Sequence, residues 1–213
     1  MTTQQEHLKD LREIRTLMER SSRFIGLSGL SGVAAGICAL VGASIVYKAL
    51  DLQPFNHKYV YYDKTLDATW GLEYNTFLLL VGGGTALAAI LSGILFTTRR
   101  AKKKGQTIWD KTALRLLVHL GIPLATGGIF SLALLAHGAL AYIAPATLIF
   151  YGLALVNGSK YTLHDVFYLG LAEIGFGLLG MFNLGYGLDF WTIGFGVLHI
   201  VYGAMMYFKY ERD

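Results

Sequence analysis

Residues 161–210 read YTLHDVFYLGLAEIGFGLLGMFNLGYGLDFWTIGFGVLHIVYGAMMYFKY, and this stretch decides the fold. It holds two apolar segments, 162–183 and 190–208, joined by a short turn around Tyr186. A hydrocarbon layer about 30 Å thick is crossed by roughly 20 apolar residues in a helix, so each segment predicts one membrane-spanning helix. Each helix carries one ionisable group, Glu173 in the first and His199 in the second, set in a stripe of small residues. Lipid offers such groups no hydrogen-bond partner, so they turn inward and mark the first place to look for function. Glu173 lies thirteen residues before Tyr186 and His199 thirteen after it. In an antiparallel hairpin that spacing puts both at one depth. Gly170, Glu173, Gly177 and Gly180 share one helix face, and Thr192, Gly196, His199 and Gly203 share a face of the other. The expectation is that Glu173 and His199 point into the bundle and meet, directly or through one water. Two roles stand for such a pair: a buried clasp that sets helix register, or a proton-linked site in which carboxyl and imidazole share a proton.

Outward from this hairpin the same reading repeats. Hydrophobic residues make up 54% of the chain, charged residues only 15%, and there are 26 glycines among 213 residues, a balance that belongs to multispan membrane proteins. Four further segments are long and apolar enough to span: 24–50, 76–98, 112–136 and 138–156. The fold class is therefore all-α, a six-helix transmembrane bundle forming one domain over 24–213. Residues 1–23 precede it as an amphipathic helix, with Leu8, Leu11, Ile14, Leu17 and Met18 at helical spacing against a face of mixed charge. That helix lies on the membrane surface or pairs with a partner, its own copy included. The first apolar stretch is too long for a signal peptide and is read as an anchor that stays. Cys38, the single cysteine, is read as a small packing residue.

Charge sets the topology. Arg99, Arg100, Lys102, Lys103 and Lys104 form a compact basic run within a loop spanning 99–115. Basic residues beside a span bind anionic lipid headgroups and hold their loop in the cytoplasm. Lys and Arg also gather in the N-terminal segment, at Lys160, and at Lys209 and Arg212, whereas Lys48, Lys58 and Lys64 stand on the other side among acids. That alternation places both termini in the cytoplasm. The basic run has this sufficient cause, and nucleic-acid binding is not needed to explain it. The one long loop on the outer side, 51–75, collects Tyr59, Tyr61, Tyr62, Trp70 and Tyr74. Such rings collect at membrane interfaces; the alternative is a lid over the outer mouth of the bundle, ordered against the helix ends.

Local signals complete the pattern. Thr107 with Asp110, and Thr162 with Asp165, fit the box in which a Thr caps a helix and an acid three residues on caps back. Lys160 and Asp189 mark helix ends. Ser28, Gly32 and Gly36 recur every four residues, and Ala89 and Gly93 do the same after the run Gly82, Gly83, Gly84. This spacing lets helices approach closely, within the chain or between copies. His119 stands a third intramembrane candidate, with Pro123 four residues on expected to kink its helix and free a carbonyl. Pro145 is expected to kink the fourth span.

The segments MERSSRFIGLSGLSG, FYGLALVNGSKYTLHDVFYLGLAEI and GYGLDFWTIGFGVLHIVYG resemble those of a group of uncharacterised bacterial six-span integral membrane proteins. The resemblance covers the N-terminal helix with the first span and most of 145–212. It implies a bacterial cytoplasmic membrane and six spans, and it carries no activity, cofactor or catalytic residue.

The sequence has no phosphate-binding loop, no HExxH, no CxxC and no GxSxG, so no catalytic residue is assigned. Three functions stand. One is a non-enzymatic scaffold or regulatory component, packing through glycine-rich faces against its own copy or another membrane protein. Another is a small carrier or channel for protons, ions or a solute, using Glu173, His199 and His119. The third is a haem or metal protein with His119 and His199 as ligands.

Overall fold

The computed structural model describes residues 27–55, 70–103 and 110–212. Within them the chain forms six helices, each long and apolar enough to cross a membrane. They are α1 (Gly29–Ala49), α2 (Tyr74–Lys103), α3 (Lys111–Ala136), α4 (Leu140–Tyr161), α5 (Asp165–Phe182) and α6 (Gly187–Tyr210). The amphipathic helix expected over 1–23, together with Tyr59, Tyr61, Tyr62 and Lys104, lies outside the described residues. So does the middle of the segment expected as a lid, residues 56–69.

Helix boundaries follow local chemistry, and several depart from the sequence reading. The second helix runs on through Arg99 to Lys103 instead of ending at Thr98. Lys and Arg are good helix formers, and cations suit the negative end of the helix dipole. Asp110 is itself the N-cap of α3, accepting a 2.6 Å hydrogen bond from the Ala113 amide; Thr107, expected to cap with it, lies outside the described residues. Asp165 is turned to a different partner than the expected cap. It is the first residue of α5, and its carboxylate accepts from Lys209 Nζ at 2.9 Å and Tyr210 Oη at 2.8 Å. A neighbouring helix end with a cation and a phenol outcompetes the local cap.

Pro123 sits inside an unbroken α3. Having no N–H, it leaves the carbonyl four residues back, that of His119, without its helical donor, and Asn157 of α4 donates to that carbonyl at 2.9 Å. Pro145 breaks nothing. The α-helical part of α4 begins at Ile143, so Pro145 occupies the first turn, where a missing N–H costs no intrahelical bond. The α3–α4 turn closes through Gly138 at φ 72° and the α5–α6 turn through Gly185 at φ 101°, both in the left-handed region.

Two glycine-lined pairs make the core. In one, α1 lies on α6: a Cβ on Gly36 would stand 2.7 Å from the Gly196 carbonyl oxygen, and one on Gly32 would stand 3.1 Å from Gly203 Cα. The stripe Ser28, Gly32, Gly36 is thus used inside the chain. In the other, α4 lies on α5, where Gly152 and Gly170 each face the other's carbonyl oxygen at 2.6 and 2.8 Å from a built Cβ. Helix α2 packs on α1 and α3 packs on α4. The other small-residue run, Gly82, Gly83, Gly84 and Gly93 on α2, meets nothing within 4 Å. Large apolar side chains cover the outside, among them Leu80, Ile90 and Ile94 of α2 and Ile129 of α3, each more than half exposed. A helix apolar on every face suits a lipid surround.

Candidate functional site

Four polar clusters tie the helices together. The central one joins α4, α5 and α6. Glu173 is fully buried and His199 is 5% exposed; Glu173 Oε1 lies 3.3 Å from His199 Nδ1. The imidazole is held from both ends. Its Nδ1 also lies 3.1 Å from the Gly194 carbonyl oxygen, and its Nε2 lies 2.7 Å from Tyr151 Oη. Two acceptors face Nδ1, so the proton belongs there, and Nε2 then accepts from the tyrosine hydroxyl. The rings of Tyr151 and Phe195 pack against the imidazole at centroid distances of 5.3 and 5.9 Å.

The backbone makes room for this arrangement. Residues Thr192–Leu198 of α6 form a π-helical segment, whose wider turn places the Gly194 carbonyl under the side chain five residues on. A Cβ on Gly194 would stand 2.5 Å from Glu173 Oε2, so only glycine admits the carboxyl here. Neither carboxyl oxygen has a partner that meets hydrogen-bond geometry. A buried carboxyl without other partners leans on the imidazole beside it.

His119 belongs to a second cluster. Its ring stacks on Tyr161 at 4.6 Å, Nε2 lies 2.9 Å from Tyr161 Oη, and Asn157 binds its carbonyl. The two histidines take partners well apart on α4. Tyr151 precedes Asn157 by six residues, about 9 Å along the axis. Among the described residues no three His, Cys, Asp or Glu side chains converge as metal ligands. The structure brings Glu173 and His199 together and keeps His119 apart from both.

Two further clusters close the ends of the bundle. At the basic end, Glu211 accepts from Ser28 Oγ at 3.1 Å and from the Gly29 amide, and lies 3.4 Å from Arg100 Nη1. Arg100 Nη2 also donates to the Tyr210 carbonyl at 3.1 Å. Arg100 is therefore buried and committed to the fold, whereas Arg99, Lys102 and Lys103 stay exposed. At the opposite end Asp189 does more than mark a helix start. It is 2% exposed and accepts from Tyr47 Oη at 2.7 Å and from the Phe55 amide at 3.1 Å, pinning the end of α1 to α6. Of the loop aromatics described, Tyr74 is buried, and Trp70 is 66% exposed with its edge on Phe77.

Tyr151, Asn157 and Tyr161 carry no signal in the sequence, where they read as ordinary residues of an apolar span. Only the His119 carbonyl was foreshadowed, by Pro123. Compared with known proteins, the chain matches no family model, no curated protein and no solved structure.

Proposed function

We propose that this chain is a non-enzymatic, multi-pass component of a bacterial cytoplasmic membrane, both termini cytoplasmic, acting as a scaffold or regulatory partner. The observation that carries this reading is the enclosure of Glu173, at 0% exposure, against His199 between three helices. A carrier site has to meet water or its solute, and this pair is sealed by Gly194, Tyr151 and Phe195. A sealed pair works as a clasp that holds α5 and α6 in one register. Apart from Lys48, the described basic residues segregate to one end of the bundle, in keeping with an inward-facing surface. The open glycine run on α2 is the face that a neighbouring membrane helix would approach.

A second reading has one observation in its favour. Both carboxyl oxygens of Glu173 lack a hydrogen-bond partner, and Tyr151, His199 and Glu173 form a connected chain able to hold and pass a proton. One experiment separates the two. Wild type and Glu173→Gln are reconstituted in liposomes and compared for proton flux and for unfolding. The scaffold reading expects lower stability and identical flux; a flux present in wild type and abolished by Glu173→Gln would replace it with a proton carrier.

A further inference from the structure

One surface feature remains unexplained by the clasps. One side of α1 forms a groove of 500 Å³, walled by Ile37, Leu40, Val41 and Ile45 and bounded by Lys48 and Trp70. The one hydroxyl among its described lining residues, Ser44 Oγ, donates to the Leu40 carbonyl of its own helix at 2.7 Å. The described floor is therefore apolar. The ion pairs among the described residues are Arg100 with Glu211, Glu173 with His199, and Lys209 with Asp165. Lys48 enters none of them and is exposed.

The dimensions name a guest. Lys48 lies eleven residues past Ile37, about 16 Å along a helix. Half of a bilayer's hydrocarbon layer is about 15 Å. The groove thus runs from the end of α1 to its middle, the depth of one leaflet, with Lys48 the one cation among its described lining residues, at the headgroup end. An indole at that end is placed where Trp favours the interface, ring apolar and N–H toward water.

We propose that this groove holds one glycerophospholipid of the leaflet opposite the basic end. One acyl chain lies along Ile37, Leu40, Val41 and Ile45, and the phosphodiester meets Lys48. A protein segment is the poorer occupant, because a helix has no anionic group that must sit beside Lys48, whereas every phospholipid carries one. The inference rests on the membrane reading above.

The test uses the full chain. Membranes are first washed at alkaline pH. Release of the chain would sink the membrane reading and this one with it. If the chain stays, it is extracted in mild detergent, and bound phospholipid is counted by native mass spectrometry. Delipidated protein is then titrated with phosphatidylglycerol and, separately, with a diacylglycerol of the same chains. Wild type is expected to hold a phospholipid and to prefer phosphatidylglycerol about fivefold, the factor for one lysine contact. Lys48→Gln should lose that factor and Lys48→Arg keep it. Val41→Trp, which fills the groove and spares the charge, should lose both lipids, and Ile129→Trp on the far surface of α3 should lose neither. Equal retention by wild type, Lys48→Gln and Val41→Trp would overturn the proposal, as would equal affinity of wild type for the two lipids.

Discussion

Replacing His199 by Phe tests the clasp most directly. The substitution keeps an aromatic ring of similar size and removes both nitrogens, leaving Glu173 with no partner in a site that has no exposure. The two groups lie 3.3 Å apart, and breaking a buried pair by removing one partner costs about 3–5 kcal/mol. Tyr151 also loses its acceptor, which adds roughly 1–3 kcal/mol for a stranded buried hydroxyl. Replacing both members by apolar residues, Glu173→Leu with His199→Phe, removes the uncompensated group and should recover most of the loss. Reversible unfolding in mixed micelles would give the four free energies of the cycle. The expected result is a large coupling, with the double variant more stable than His199→Phe alone. If His199→Phe costs less than about 1 kcal/mol, or if the two substitutions simply add, Glu173 and His199 are neighbours without being a clasp.

Other outcomes follow from the same geometry. Gly194→Ala should destabilise by about 1–3 kcal/mol through overpacking against Glu173, and Glu173→Ala should relieve part of that cost when combined with it; the same unfolding assay reads both. Asn157→Leu should cost roughly 1–3 kcal/mol by stranding the His119 carbonyl, whereas in an Asn157→Leu, Pro123→Ala double variant the restored amide of residue 123 should return part of it. Tyr47→Phe should weaken the end of the bundle by about 1 kcal/mol and raise hydrogen exchange at the Phe55 amide, which shares the Asp189 carboxylate. Reporter fusions at Lys104 and Asp63 should fall on opposite sides of the membrane, and the same side for both would break the topology.

What the sequence determined by itself is everything that depends on local or periodic chemistry. Span length follows from the count of apolar residues, so six helices were legible, with ends shifted by a few residues where caps and basic tails intervene. The depth match of Glu173 and His199 was legible because a hairpin with a tight turn converts equal distance along the chain into equal height. The consequence of Pro123 was legible because a missing N–H always frees the carbonyl four residues back. What only the tertiary structure decided is which faces meet. Gly36 and Gly93 look alike in sequence, yet one is pressed against Gly196 and the other stands open, since a small residue permits close approach without naming a partner. The same holds for Asp165 and Asp189, where a helix dipole or local cap competes with distant Lys209, Tyr210 and Tyr47. It holds for Tyr151, whose hydroxyl meets His199 from a different helix. Side chains far apart in the chain are brought together by the packing of whole helices, and that packing is a property of all six surfaces at once.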